Sequence, residues 1–534
     1  MVGERRLPVA VAEIAAVLAI FAAAGAWPTP DVNESHYLTK ARHFVDPSWC
    51  AGDFFLESPA AHGLFYRLMG PLAATTSLER AAWIGRWLGW LSLAIGFRHA
   101  VRPLLTTTVA RVLAAAVFSL ASQHTTAAGE WMIGGCEAKV FAWALVLAAA
   151  GEIARDRFAA AWLALSGATA IHPLVGGWGL VAVSGQWLVS GHPRLARGAS
   201  AFAALPAGAV LAAIGIVPAL RLSAGASAEE RTAAAAIYVV ERLPHHLLPR
   251  AFADGMVARH VLAILLLAAL WRLSVAFRVG DAADGLSVAR GRAAGFTVAA
   301  IAVSLAGLAV SLVEPFAPAV AFGLLRFYWF RLADGLVPLS LAVAVAAIVC
   351  ADGVVPVLTG RAAAVVRAVV VLAVVADGVG QSRHWPLPGR GVLVARSDAK
   401  VLAGPWRDVC AWVRDNTPAD AVFLTPRGAS SFTWRTGRRE VVSWKNIPQD
   451  ARSIVQWRAR MADCFSRDGS LATAERSTAA LGPERMRTVA VRYGADHVIV
   501  PLDTPGIADL PWPRLHANAG YAVYKIPAAE DGAP

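Results

Sequence analysis

The chain has 534 residues, 57% of them hydrophobic and 16% charged, with a mean hydropathy of +0.52. That balance excludes an ordinary soluble globular protein and repeatedly supplies apolar runs long enough to span a bilayer. The net charge of +12 sits in short arginine clusters between those runs, which is how orientation is encoded in membrane proteins, so it implies no nucleic-acid partner. Cys50, Cys136, Cys350, Cys410 and Cys464 are too far apart for a CxxC pair or a zinc knuckle and read as small apolar fillers.

Arg5 and Arg6 precede an apolar run over 7–27, which predicts a cytoplasmic N-terminus and an outer loop next. A cleaved signal peptide is the alternative, because 22–26 is rich in small residues, and the following loop faces outward either way. Further apolar segments fall near 82–98, 104–121, 138–154, 158–172, 174–190, 199–220, 260–277, 295–313, 334–351 and 361–380, or about eleven spans in all. Trp27, Trp83, Trp178 and Trp271 stand at the ends of such runs, as in interfacial aromatic belts.

Arg98 with Arg102, Arg155 with Arg157, Arg194 with Arg197, Arg278 with Arg290 and Arg292, and Arg361 fall on alternate loops, which the positive-inside rule makes cytoplasmic. The other loops hold the acids and histidines: 27–81, 122–139, the His172-Pro173 break, 221–258 and 314–333.

Past residue 380 the apolar runs shorten, and Pro386, Pro388, Gly389 and Gly391 mark a linker over 381–404. Residues 405–534 read as a small α/β domain, with helical spacing over 406–416 and 450–465 and strand-like runs at 421–425, 440–443, 498–500 and 521–526. Eleven spans after an inside N-terminus put this domain outside.

The densest chemistry lies in residues 31–66, where Asp31, Glu34, His36, His43, Asp46, Asp53, Glu57 and His62 gather in one interfacial loop. Asp31 and Glu34 are three apart and share a helix face; such a pair can deprotonate a hydroxyl or hold a divalent cation. Asp31 after Pro30 equally suits a helix cap, and Asp53 is either a second carboxylate or the cap of the Phe54-Phe55 segment.

In the second outer loop Glu130 and Glu137 are candidates beside Lys139; Glu137 and Lys139 are too close in sequence to pair along one helix face, so at least one should look elsewhere. His172 either lines a site or marks a turn between helices. His245 and His246 have only Glu241 nearby. Arg326 and Arg331, on an aromatic stretch, can bind a lipid phosphate or snorkel, Arg331 pairing with Asp334. The chain carries no GxxxxGK[ST], HExxH or GxSxG motif, which argues against an ATP-driven pump or a standard serine hydrolase.

Asn33-Glu34-Ser35-His36-Tyr37 with Ala41 resembles the Asp-Glu-x-x-Tyr pattern in the first outer loop of the GT-C glycosyltransferases, and Asp53 stands where a second loop acid is expected. Asn33 departs from the pattern at its first acid, which leaves Glu34 or the displaced Asp31 as base. The blocks NESHYL, GDFFLES, GEWMIGGCEAK, HPLVGGW and RFYWFRLADG also resemble an uncharacterised bacterial family of multi-pass membrane proteins. The first resemblance implies an α-helical, GT-C-like membrane domain over 1–380 in the bacterial inner membrane. It would transfer a sugar from a polyprenyl-phosphate donor to an envelope acceptor on the outer face. Glu34, Asp31 and Asp53 would be catalytic; His36, Tyr37, Glu130, Glu137, His172, Arg326 and Arg331 would bind substrate, with a divalent cation as an optional cofactor. The other readings are a lipid or glycan transporter and an envelope assembly protein. A transporter should carry polar residues at mid-membrane on several helices, where this chain offers chiefly Glu13.

Overall fold

A computed structural model of the chain describes residues 6–189, 199–276, 284–351, 360–391, 393–505 and 510–527. The orientation signals at Arg5, Arg194, Arg197 and Arg278 lie outside the described residues. In chain order the helices are α1 (Arg6–Gly25), α2 (Glu34–Val45), α3 (Phe54–Glu57), α4 (Gly63–Thr75), α5 (Leu78–Val101), α6 (Thr108–His124), α7 (Ala138–Ala154), α8 (Phe158–Ile171), α9 (Pro173–Val189) and α10 (Ala199–Arg221). Then come α11 (Ala228–Ala236), α12 (Pro244–Leu247), α13 (Asp254–Ala276), α14 (Asp284–Ser311), α15 (Pro318–Leu325), α16 (Arg331–Val349) and α17 (Gly360–Ser382). The C-terminal part runs α18 (Ala403–Asn416), β1 (Val422–Leu424), α19 (Phe432–Thr436), β2 (Arg439–Glu440), α20 (Ala451–Phe465), α21 (Pro483–Tyr493), β3 (His497–Pro501), β4 (Arg514–Ala517) and β5 (Tyr521–Lys525).

Each of the eleven apolar segments falls on a helix, because a chain in hydrocarbon must satisfy its backbone polar groups within the segment. Among the described residues six of those helices are long and apolar enough to cross a membrane: Leu7–Gly25, Ala203–Arg221, Asp254–Leu273, Gly285–Ser311, Arg331–Val349 and Gly360–Ser382. The expected eleven crossings thus reduce to six by length and composition. The physical reason is mostly reach: α6, α7, α8 and α9 have 17, 17, 14 and 17 residues, or about 21–25 Å, less than the roughly 30 Å hydrocarbon core, while α5 has the length, at 24 residues, but not the apolar composition.

The chain divides into two compact units. The first comprises Met1–Ala26, Arg86–Ala219 and Tyr238–Trp385. Its helices pack through small residues; a Cβ on Gly335 would lie 2.1 Å from the Trp143 ring, and one on Gly96 would lie 2.3 Å from the Ala144 carbonyl oxygen. Polar contacts collect at two ends of this bundle. At one end Glu13 accepts from Arg98 Nε at 2.7 Å, Arg111 Nη1 at 2.8 Å and Thr108 Oγ1 at 2.8 Å. There too His99 contacts Glu152, Arg292 pairs with Asp156 at 3.0 Å, and Arg290 Nε donates to the Leu104 carbonyl at 2.9 Å. The other end is built from 125–139, 238–260 and 326–334. Since α6 and α7 each run between the ends with 17 residues, the two sets are about 25 Å apart. Within this unit, the ends carry the two sets of loops that the arginine pattern separates.

The second unit comprises Trp27–Gly85, Leu220–Ile237 and Pro386–Pro534. Its five-stranded sheet has the order β2-β1-β3-β5-β4; β1 is parallel to β2 and β3, and β5 is antiparallel to β3 and β4. The core sets Trp406, Val409, Cys410 and Val413 of α18 against Phe423, Phe432, Ile499 and Val523. Asp450 caps α20 by accepting the Ser453 amide at 3.0 Å, and Gly437 and Gly494 end α19 and α21 in the left-handed conformation at φ 63° and 69°. α17 ends at Ser382. The domain differs from the sequence expectation in taking in 27–85 and 220–237 besides the C-terminal residues. Ion pairs and hydrogen bonds between residues hundreds apart create that association. Cys50, Cys136, Cys410 and Cys464 are buried thiols in keeping with a packing role.

Candidate active site

α2 starts seven residues after the 27–85 segment enters the second unit, and the turn that leads into it brings Asp31 and Glu34 together, the Glu34 amide donating to the Asp31 carbonyl at 3.1 Å. Glu34 is fully buried and Asp31 nearly so. Glu34 folds back so that Oε2 accepts the Asp31 amide at 2.7 Å, which fixes the turn before the helix. Asp31 does not cap α2: its Oδ1 accepts the Val32 amide at 2.7 Å, and both oxygens receive Arg396, from Nε and Nη2, at 2.6 Å each. That fork-on-fork geometry is the strong form of an ion pair. Ser397 Oγ donates to the Pro30 carbonyl at 2.8 Å beside it. Arg396 was missed from sequence because it lies 365 positions away.

Asp53 is a helix cap. Oδ1 accepts the Phe55 and Leu56 amides at 3.0 and 2.9 Å, and Oδ2 accepts the Glu440 amide at 3.2 Å. Around it lies a buried charge group not foreseen from sequence. Lys40 Nζ donates to the Phe55 carbonyl and to Ser58 Oγ, both at 2.8 Å. Burial lowers Lys40 to a pKa of about 7 against the pull of Asp53 and Asp450. Burial, and then the like charge of Asp53, pushes Glu440 up to about 7; burial also raises Asp53 against the amides that bond it. The His36 ring packs on Phe55 with centroids 4.5 Å apart, and the Tyr37 hydroxyl lies 3.4 Å from His62 Nε2. Among the described residues no group of three or more His, Cys, Asp and Glu converges as a metal site. With both Asp31 oxygens on Arg396, the residues present do not fit the divalent cation considered from sequence.

The remaining candidates belong to the first unit. Arg331 Nε lies 2.8 Å from Glu130 Oε2, and its guanidinium stacks 3.9 Å from the Tyr328 ring centroid. The pairing of Arg331 with Asp334 is replaced by this one, because Asp334 turns to the 127–130 loop. There it accepts the Ala127, Ala128 and Glu130 amides at 2.6, 3.0 and 3.3 Å. Trp143 Nε1 donates to Glu130 Oε1 at 3.0 Å. Glu137 and Lys139 do meet, at 3.5 Å: Glu137 is the extended residue before α7 rather than part of it, so the helix-face rule does not apply. His172 ends α8, and its Nδ1 accepts the Val175 amide at 3.3 Å, the turn between helices. His246 Nδ1 bonds the Ala128 carbonyl at 2.5 Å.

Arg326 stands 5.8 Å from the Phe327 ring. Burial, countered by Tyr238, lowers its pKa. Burial lowers Arg242 likewise, against Tyr328 and Tyr238, whose hydroxyls lie 3.2 Å apart. Two features mark this cluster: Tyr328 has φ 57°, rare for a residue with a side chain, and 237–242 is a π-helix. The aromatic-arginine run pointed to Arg326 and Arg331; nothing local pointed to Arg242.

A family described as a domain of unknown function, DUF6798, matches residues 404–464, from α18 through most of α20. No curated protein is significantly similar to the chain. Among solved structures the chain is similar to a variant of the arabinofuranosyltransferase AftD from mycobacteria, at 16% identity and a TM-score of 0.47 over 98% of this chain and 42% of that one. It is similar to the Archaeoglobus fulgidus oligosaccharyltransferase in complex with Zn and sulfate, at 12% identity and a TM-score of 0.41 over 92% and 68%. ArnT from Cupriavidus metallidurans, in the apo state, follows at 15% identity and a TM-score of 0.36 over 97% of both chains. The chain thus spans less than half the length of AftD.

Proposed function

We propose that the protein is a membrane glycosyltransferase that moves a sugar from a polyprenyl-phosphate donor to an envelope acceptor on the outer face of the inner membrane. The observation that carries this reading is the pair of buried carboxylates directly after the first apolar helix, Glu34 bonded to the Asp31 amide and Asp31 clamped by Arg396. Carboxylates are costly to remove from water, and a fixed, desolvated one is a pre-oriented base. Glu34 takes the acceptor hydroxyl proton as that oxygen bonds to the sugar C1. The C1–O bond to the lipid phosphate breaks, and the phosphate leaves with the electron pair. Asp31 is a positioning residue; separately, Arg326 and Arg331 of the first unit are assigned to binding a lipid phosphate. Asp53 acts through the α3 cap. The transporter reading loses its main support, since Glu13 is matched by Arg98, Arg111 and Thr108 at one end of the bundle.

The test is transfer from a polyprenyl-phosphate sugar by the purified full chain and by Glu34→Gln. A glutamine oxygen still accepts the Asp31 amide, so melting should stay within about 1 kcal/mol while the rate falls about a hundredfold or more. Wild-type transfer by Glu34→Gln sinks the assignment, and no transfer by the native chain from any such donor favours the assembly reading.

A further inference from the structure

We propose that a cationic, tryptophan-walled cleft in the second unit binds an anionic sugar, one carrying a carboxylate or a phosphate ester. This does not depend on the transfer reaction. The cleft has a volume of about 530 Å³, in the range of small-molecule sites. Its place follows from the sheet. β1 and β3 are adjacent and parallel, so both end at the same edge, and β5 begins there because Tyr521 is in register with Pro501. After β1 the chain crosses through α19 to β2 on one side; after β3 it leaves for β4 on the other. Connections that depart in opposite directions from neighbouring parallel strands open a crevice at their carboxyl ends, where ligands bind in α/β folds. The cleft is lined from these loops, by Arg427 and Gly428 after β1, Asp503 after β3 and Tyr521 at the start of β5.

The lining is chemically one-sided. Lys400, Arg427 and Arg476 face a single lining carboxylate, Asp503, for a formal charge of +2. Arg427 is half-buried and fixed, with Nε donating to the Glu475 carbonyl at 3.0 Å and the guanidinium 5.7 Å from the Trp444 ring. Burial, and after it the neighbouring Arg476 charge, lowers its pKa, so two cations are held within electrostatic reach. An anion between them relieves that repulsion. The Asp503 carboxylate stands 3.9 Å from Arg476 in an exposed pair, too screened to do so. The Tyr521 hydroxyl accepts the Leu402 amide at 2.9 Å, which leaves its proton to donate. Trp444 supplies an apolar face for a sugar ring. Gly428 shapes the wall: a Cβ there would lie 2.8 Å from Lys400 Cβ.

The full chain in detergent is titrated with glucuronate, glucose 1-phosphate, glucose and inorganic phosphate, and binding is read by saturation-transfer NMR and, for phosphate, equilibrium dialysis. The two anionic sugars should bind at least about tenfold more tightly than glucose, and Arg427→Gln or Arg476→Gln should each weaken them about tenfold. Trp444→Ala should weaken both sugars while leaving inorganic phosphate unchanged. The Arg476 side chain is 89% exposed, so its variant folds even where Arg427→Gln does not. Equal binding of glucose overturns the charge requirement. Phosphate binding as tight as glucose 1-phosphate, insensitive to Trp444→Ala, shows a bare anion site and overturns the sugar. No binding at concentrations up to about 10 mM overturns the whole proposal.

Discussion

Glu440→Gln should flatten the dependence of stability on pH in the second unit. In the folded chain Glu440 is pushed from 4.5 to about 7, whereas the unfolded chain titrates near the ordinary value. Below about pH 4.5 both states are protonated and the group costs nothing. Between about pH 4.5 and 7 the unfolded chain ionises while the buried carboxyl beside Asp53 stays protonated, so stability is lost as pH rises, and the loss is complete once the folded state ionises above about 7. At pH 5 that loss is about 1 kcal/mol and at pH 8 about 3 kcal/mol, a difference of roughly 2 kcal/mol. Glutamine keeps the local bonds: its oxygen accepts Asn446 Nδ2, now at 3.0 Å from Glu440 Oε1, and its amide can donate to Thr425 Oγ1, now 3.1 Å from Oε2. Lys40, lowered to about 7, has the opposite sense: its contribution is present above its unfolded value and is lost as pH falls towards 7. It is common to both chains and cancels in the comparison. Urea unfolding of the detergent-solubilised full chain, followed by near-ultraviolet circular dichroism at pH 5 and 8, measures the gap. Wild type and variant losing the same stability between those pH values would refute the reasoning.

Arg396→Met should cost about 3 kcal/mol, because it strands Asp31 at 1% side-chain exposure, and the lower end of the buried-pair range suits an arginine that is itself 20% exposed. Melting of Asp31→Asn/Arg396→Met should recover part of that loss; a double variant no more stable than Arg396→Met alone would show the pair is not coupled. Arg326→Gln should raise the donor KM about tenfold with melting unchanged, whereas Arg331→Gln should also lower Tm by breaking the Glu130 pair. Normal donor use by both variants returns these arginines to a structural role. Alkaline phosphatase fused after Gly391 should be active and a fusion after Arg197 inactive, and the reverse pattern would end the outer-face mechanism.

The positions of the apolar helices were legible in the sequence, since hydrocarbon forces each such run to satisfy its own backbone and composition alone reveals the run. Local rules also placed α18, α20, β1, β3 and β5, and offered the cap reading of Asp53. Reach was misjudged where short helices looked like full spans, as with the 14 residues of α8. What no local pattern carries is partnership across the chain: Arg396 with Asp31 is 365 positions apart, and the Glu440 amide with Asp53 is 387. Such contacts decide that 27–85 folds with the C-terminal residues, that Asp334 holds a loop instead of Arg331, and that Lys40 and Glu440 titrate near 7. The division has a physical cause. Helix formation and capping depend on neighbours within about four residues, while burial and charge depend on whatever the completed fold packs around a side chain, whichever part of the chain supplies it.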